Sequence, residues 1–276
     1  MPEYCFLNGE IVNKAEAKVS VFDIGLLRGF GVYEATSAFS GQIFRLTDHF
    51  QRLVDSAHFL NLNIPVTEER TEKVIKDLLE KNEQTKKRAN IKFILTGGMT
   101  ISSLEYDFNT PTFCIFTEDH EPLSQDIYEN GGKLVTYNYK RDLPQIKTIN
   151  YATAVNIQNW RKEEEAVEIL YVHEGEISEC STSNIFIVKE GKLITPTEGV
   201  LYGITRKVVL EIAKSLDMSV EERPIPEREV LEADEVFITS SFKDIVPITN
   251  VDDAIISNGQ VGPITKKLIE EFLKLT

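Results

Sequence analysis

Basic residues are in short supply in this chain: 30 lysines and arginines stand against 44 aspartates and glutamates, which leaves a net charge of −14 over 276 residues. A surface of that sign repels polyanions, so nucleic acid and anionic membranes are excluded as partners, and an anionic ligand would have to be drawn in by a local basic patch. Cysteine is scarce as well. Cys5, Cys114 and Cys180 are odd in number and widely spaced, which suits reduced thiols in a cytoplasmic protein rather than a disulfide framework. The histidines His49, His58, His120 and His173 lack the spacing of a metal site, so no metal is expected. No apolar run approaches the roughly 18 residues of a membrane span. The start, Met1-Pro-Glu-Tyr-Cys5, has neither the basic nor the apolar region of a signal peptide, so none is expected. Internal repeats and low-complexity tracts are absent too.

What is present has the length for one large domain or two of ordinary size, and the pattern favours two. Residues 1–117 read as a smaller N-terminal α+β domain, 118–125, polar and carrying Pro122, as a linker, and 126–276 as a larger C-terminal domain. In the first, strands are expected near 4–7, 31–40 and 42–45. A helix from Thr47 follows, with Phe50, Leu53, Val54 and Ala57 as its apolar stripe. A second helix after Thr67 buries Val74, Ile75, Leu78 and Leu79, and strands at 90–96 and 111–117 close the domain. The second domain reads as a strand at 133–139, a lysine-bearing loop, a helix over 151–164, and strands at 168–173, 184–189 and 192–195. A helix from Ile204 to Leu216, strands at 236–239 and 245–249, and a terminal helix from Pro263 complete it. Helices and antiparallel strands in separate blocks imply an α+β fold.

Residues able to do chemistry follow in a set order. Gly31-Val-Tyr33-Glu34 and His49-Phe-Gln-Arg52 precede Lys147-Thr-Ile-Asn-Tyr151, then Ser178-Glu179-Cys-Ser-Thr-Ser183-Asn184, Gly203-Ile204-Thr205-Arg206 and Thr239-Ser240-Ser241. Singly, each has an ordinary reading: a solvated lysine, a glutamate beside the hairpin tip Glu174-Gly175-Glu176, a threonine capping a helix, an ion-paired arginine, a half-buried strand tyrosine. Jointly, from Phe6-Leu-Asn-Gly9 to Gly262-Pro-Ile-Thr265, they resemble the class IV aminotransferases, which use pyridoxal 5′-phosphate (PLP). That family holds branched-chain L-amino acid aminotransferases, D-amino acid transaminases and aminodeoxychorismate lyases.

The resemblance implies the two-domain type IV fold, of the D-amino acid aminotransferase-like kind, with the cofactor between domains and a homodimer completing each pocket. It also implies roles. Lys147 would hold PLP as a Schiff base and then carry a proton, as transamination requires of an amine. Glu179 would face the pyridine nitrogen, since a protonated ring is the better electron sink. Gly203, Ile204 and Thr205, opening a helix, would offer amides and a hydroxyl to the phosphate, joined by Arg52, and Ser240 and Ser241 are expected at the cofactor as well. Tyr151, Ser183 and Asn184 complete the expected cofactor site, and Tyr33 is expected in the substrate pocket.

Substrate class turns on Thr96-Gly97-Gly98. Well-known D-amino acid transaminases have an arginine at the first of these glycines and a histidine two residues later, both binding the substrate carboxylate; here Gly97 and Met99 stand there. A less typical group of D-amino acid transaminases shares Leu27-Arg28-Gly29, the paired glycines and Lys147-Thr-Ile-Asn-Tyr151, and the chain is more similar to that group. Arg28 and Lys92 are then the cations expected to bind the carboxylate. The reading is a D-amino acid transaminase using D-alanine or D-glutamate with 2-oxoglutarate or pyruvate. A branched-chain L-amino acid aminotransferase is the alternative, and an aminodeoxychorismate lyase-like enzyme a further one.

Overall fold

A computed structural model describes residues 2–276. The fold is α+β, and the chain divides into two compact units, Met1–Glu121 with Ile146–Tyr151, and Pro122–Gln145 with Ala152–Thr276.

The first unit is built on a six-stranded sheet in the order Glu10–Asn13, Tyr4–Leu7, Thr112–Asp119, Ala89–Thr96, Gly31–Phe39, Gln42–Ile43. Alternation along the central strands sorts their side chains. Val32, Ala38, Ile91, Phe93, Leu95, Phe113 and Ile115 join a core with Leu53, Ala57, Val74, Ile75, Leu78 and Leu79 from the helices Leu46–Phe59 and Glu68–Lys81. The opposite face carries Tyr33 and Ala35, which register against Ile94 and Lys92. Thr67 caps the second helix, its side chain accepting from the Arg70 N–H at 3.2 Å, so the helix begins directly after Thr67, as expected.

The first helix departs from expectation in a revealing way. Its buried residues are His49, Leu53, Ser56 and Ala57, whereas Phe50 and Val54 are only half-buried. The stripe is turned toward polar positions because His49 meets a buried carboxylate on the sheet, as described below. The sequence reading also missed the strand Glu10–Asn13 and the short helix Ile24–Arg28.

Ile146–Tyr151, expected within 126–276, belongs to the first unit for a plain hydrogen-bonding reason. The Tyr33 N–H donates to the Lys147 carbonyl at 2.8 Å, and the Ile149 N–H donates to the Gly31 carbonyl at 3.1 Å. The segment lies antiparallel along the start of Gly31–Phe39, with Val32 opposite Thr148.

The second unit carries a ten-stranded sheet whose main path runs Val220–Glu222, Lys192–Thr195, Asn184–Lys189, Glu235–Ser240, Asp244–Val251, Gly132–Asn138, Glu168–His173, Glu176–Cys180, Ile225–Pro226. It is mixed rather than antiparallel throughout: Gly132–Asn138 runs parallel to both Glu168–His173 and Asp244–Val251. The crossover to Glu168–His173 contains not one helix over 151–164 but two short ones, Ala152–Asn156 and Gln158–Glu163. Glu176–Cys180, which follows the expected hairpin tip Glu174-Gly175-Glu176 and is not among the expected strands, forms one. The expected linker ends in a helix, Gln125–Asn130. The helix Ile204–Ser215 buries Val208, Val209, Ile212 and Ala213.

Candidate active site

In the first unit the candidate lysine is held by its backbone and left open at its amine. Lys147 is fixed by the bond from Tyr33, and its own N–H reaches Ser56 Oγ at 3.4 Å. Its Nζ lies 5.2 Å from the centre of the Tyr33 ring, and Tyr151 meets Tyr33 edge to face at 6.4 Å. Among the described residues no carboxylate pairs with Lys147. Burial raises the Tyr33 hydroxyl well above its usual range, helped by Tyr151, Glu34 and Glu118, so Tyr33 is neutral.

Arg52 is forked onto Glu34, its Nε 2.8 Å from Oε2 and its Nη2 2.6 Å from Oε1. His49 Nδ1 is 3.0 Å from the same Oε1. Glu34 is 1% exposed. Burial alone would raise its carboxyl, but the Arg52 charge and the bonds from Arg52 and His49 outweigh it and hold Glu34 well below the usual range. Burial lowers His49 despite Glu34, with Arg52 and Lys147 adding to the effect. The carboxylate thus fixes the orientation of the arginine expected at the phosphate. Glu34 goes unread as anything more than part of a motif. Its signal is a charged residue at an inward-facing position of a strand, between Val32 and Thr36, which a core tolerates only when the charge is paired.

The substrate candidates also lie in this unit. Arg28 ends the helix Ile24–Arg28, which Asp23 caps by accepting from the Gly25 N–H at 2.7 Å and which Gly29 closes at φ 64°. Asp23 also takes Thr96 Oγ1 at 2.8 Å and Thr112 Oγ1 at 2.6 Å, which anchors the loop to the sheet. Arg28 is exposed, donates to the Leu27 carbonyl at 2.9 Å, and has no carboxylate partner among the described residues. Lys92 shares the Tyr33 face as alternation implies, but it pairs with Glu118 at 2.6 Å. Gly97 is closed to any side chain: a Cβ there would come within 2.8 Å of the Tyr106 ring and 2.9 Å of Ile24 Cγ2.

In the second unit Glu179 is 5% exposed, and both its oxygens are engaged. Arg141 Nε donates to Oε1 at 2.8 Å and the Leu201 N–H to Oε2 at 2.8 Å. Arg141, which also reaches the Pro144 carbonyl, is a residue that sequence reasoning missed; a cation near the lysine loop was its only trace. Asn184 donates to the Leu201 carbonyl at 2.7 Å and packs where a Cβ on Gly203 would fall, 2.0 Å from its Oδ1. Only glycine lets these two meet.

Gly203 is the N-cap of Ile204–Ser215 and provides no side-chain cap, so Thr205 lies inside the helix, buried, and is not the capping residue. Across the sheet from Asn184 sits Thr239, whose buried hydroxyl has no hydrogen-bond partner. Ser240 and Ser241 follow it, with Ser240 Oγ accepting from the Lys243 N–H at 3.3 Å. Ser183, expected at the cofactor, donates its hydroxyl to Glu168 at 3.0 Å. No helix among the described residues is long and apolar enough to cross a membrane.

Residues 31–251 match the family model for amino-transferase class IV. The chain belongs to the class IV aminotransferases. A Methanocaldococcus jannaschii protein provisionally named a branched-chain-amino-acid aminotransferase is 39% identical over 97% of this chain and 94% of its own. The D-alanine aminotransferase of Staphylococcus haemolyticus is 31% identical over 98% of this chain and 96% of its own. Among solved structures, a T.th. branched-chain amino acid aminotransferase complexed with N-(5′-phosphopyridoxyl)-L-glutamate matches with a TM-score of 0.91 at 26% identity, covering 99% of this chain and 94% of that one.

This class IV aminotransferase is a PLP-dependent enzyme acting on amino acids and 2-oxo acids. Each unit by itself holds groups of the kind PLP needs: the first an amine on Lys147 without a carboxylate partner, the second a buried acid at Glu179, an uncapped helix end closed to a Cβ at Gly203, and an orphaned hydroxyl at Thr239.

Proposed function

We propose that this aminotransferase moves an amino group between a D-amino acid, D-alanine or D-glutamate, and 2-oxoglutarate or pyruvate. The observation that carries the reading is the closed position at Gly97 combined with the unpaired Arg28. An α-carboxylate in a partly dry pocket requires a charge-assisted partner. Gly97 cannot supply it, Lys92 is tied to Glu118, and Arg28 is presented on an anchored, exposed loop.

PLP, when bound, supplies an electrophilic carbon and a ring that takes up the electron pair released at the substrate Cα. Lys147 Nζ is the covalent anchor and the proton carrier, and its freedom from carboxylates leaves it available for both tasks. Glu179, held in place by Arg141 and the Leu201 amide, keeps a proton on the ring nitrogen. The first amides of Ile204–Ser215, with Thr205, Ser240, Ser241 and Arg52, bind the phosphate, and Asn184 and Ser183 support that end. Tyr33 and Tyr151 line the reacting face, with Lys92 as a further cation on the Tyr33 side.

A homodimer belongs to the same reading. Phe22, Leu26, Ile101 and Leu104 are 61–75% exposed, on segments joined by Ile24 N–H to Gly98 and Thr100 N–H to Phe22. An apolar ledge of that kind beside Arg28 suits a second copy of the chain. Three free thiols suit a cytoplasmic setting.

A branched-chain L-amino acid aminotransferase is the second reading, favoured by the 39% identity to the Methanocaldococcus protein. Incubating the PLP form with single D- and L-amino acids, and following its conversion to pyridoxamine phosphate by absorbance, separates the two. Conversion by D-alanine or D-glutamate is expected. Conversion by L-leucine or L-valine alone would replace the first reading with the second.

A further inference from the structure

Glu168 lies at the start of the strand Glu168–His173, is 3% exposed, and has an unusual set of partners. Its carboxylate accepts from three consecutive hydroxyls, those of Ser181, Thr182 at 2.7 Å and Ser183 at 3.0 Å. Lys243 completes the set, donating to Glu168 and, at 2.8 Å, to Thr182 Oγ1. Burial would raise this carboxyl, but Lys243 and the hydroxyl donors outweigh it and keep Glu168 below its usual range. A buried carboxylate with such partners is costly to make and costlier to break, since losing one partner strands the other.

Both turns that meet at this carboxylate adjoin expected cofactor residues. Ser181–Ser183 is the turn between Glu176–Cys180 and Asn184–Lys189, closed by the Cys180 N–H on the Ser183 carbonyl at 2.7 Å. Glu179 precedes that turn and Asn184 follows it. Both grip Leu201, one at its N–H and the other at its carbonyl, two residues before the helix cap Gly203. Lys243 belongs to the turn after Ser240, and its own N–H bonds Ser240 Oγ. One ion pair therefore joins the turn behind Glu179 to the turn behind Ser240 and Ser241.

We infer that the Glu168–Lys243 pair is a positioning device for the cofactor, setting the Ser181–Ser183 turn and the Ser240–Lys243 turn so that the ring-nitrogen acid and the phosphate-binding amides keep one spacing. The inference rests on the PLP reading above. The pair acts through Glu179, Leu201 and Ser240 and does not itself touch PLP.

The test uses the holoenzyme and the variants Lys243→Met, Lys243→Arg and Thr182→Val, the last removing only the hydroxyl shared by the pair. PLP dissociation constants are measured by fluorescence titration of the apoenzyme, and the bound phosphate is observed by phosphorus NMR. Lys243→Met is expected to weaken PLP binding at least about tenfold, as loss of an outer supporting group does at other tightly held sites, and to shift the phosphate resonance. Thr182→Val should move both in the same direction by less, and Lys243→Arg should restore both. A lowered melting temperature alone would not move the resonance of bound PLP. Variants that bind PLP as the wild type does, with an unchanged resonance, would overturn the inference. Wild-type protein that takes up no PLP would overturn the cofactor reading first, and the inference with it.

Discussion

Glu34→Gln tests the buried network behind Arg52. The substitution keeps the shape of the side chain and removes the charge that faces two bonds from Arg52, at 2.8 and 2.6 Å, and His49 at 3.0 Å. Breaking a buried pair by removing one partner costs about 3–5 kcal/mol. The Arg52 side chain retains 12% exposure, so solvent recovers part of that and the loss falls near the lower limit, about 3 kcal/mol. At roughly 2–4 °C per kcal/mol the melting midpoint should drop by about 6–12 °C. Acid titration adds a second check. Glu34 and His49 both have lowered values in the fold, so the folded chain binds fewer protons than the unfolded one. Their stabilisation is complete above the ordinary values. It is lost as pH falls below 6.5, where unfolded His49 gains its proton, and again below 4.5, where unfolded Glu34 does. The lower fall should be shallower in the variant, where Glu168 and other lowered carboxylates still contribute but Glu34 no longer does. Calorimetry at a series of pH values reads both effects. A variant melting within about 2 °C of the wild type near neutral pH, or one whose lower fall is as steep as the wild type's, would refute the argument.

Lys147→Ala should abolish covalent attachment of PLP and lower turnover by several orders of magnitude; borohydride reduction and peptide mapping check it, and a phosphopyridoxyl group found on another lysine would count against the assignment. Glu179→Gln should bind PLP nearly as well while the half-reaction slows, because a neutral amide cannot hold a proton on the ring nitrogen as a carboxylate does; stopped-flow absorbance compares the two, and wild-type rates would reduce Glu179 to a structural residue. Arg28→Ala should lower kcat/KM for D-alanine or D-glutamate by at least about 2 kcal/mol in activation free energy with the cofactor spectrum unchanged, and full activity in that variant would remove Arg28 from the carboxylate site.

Periodicity makes most of the helices and strands legible, because Val74, Ile75, Leu78 and Leu79, or Val208, Val209 and Ile212, can face only one way if they are to leave water. It fails where a polar partner overrides it. The first helix turns His49 and Ser56 inward at the expense of Phe50 and Val54, since His49 has Glu34 to meet, and no window of one helix can see a carboxylate on a distant strand. Glu176–Cys180 does not read as a strand because Ser178 and Glu179 stand together and break its apolar alternation. Lys147 is legible by its motif but not by its neighbours, which come from Gly31–Phe39 far upstream. Arg141, Glu168 and Lys243 are invisible for the same reason: each owes its place to a contact across the sheet or from a loop.

An acidic chain that handles anions was expected to gather a local basic patch. Four of the cations near the candidate residues are instead matched with acids: Arg52 to Glu34, Arg141 to Glu179, Lys243 to Glu168, Lys92 to Glu118. Three of those acids are buried, so each of their cations offsets a desolvation cost, and Arg52 would meet a phosphate with its charge already shared with Glu34. In the second unit the uncapped amides at Ile204 present positive dipole ends, and in the first the exposed Arg28 and the amine of Lys147 have no carboxylate partner among the described residues. Partial charges on fixed amides attract a phosphate without requiring a buried cation beside the acid that the ring nitrogen needs. A net charge of −14 is therefore compatible with an anionic cofactor, because backbone dipoles can attract a phosphate where no basic surface does.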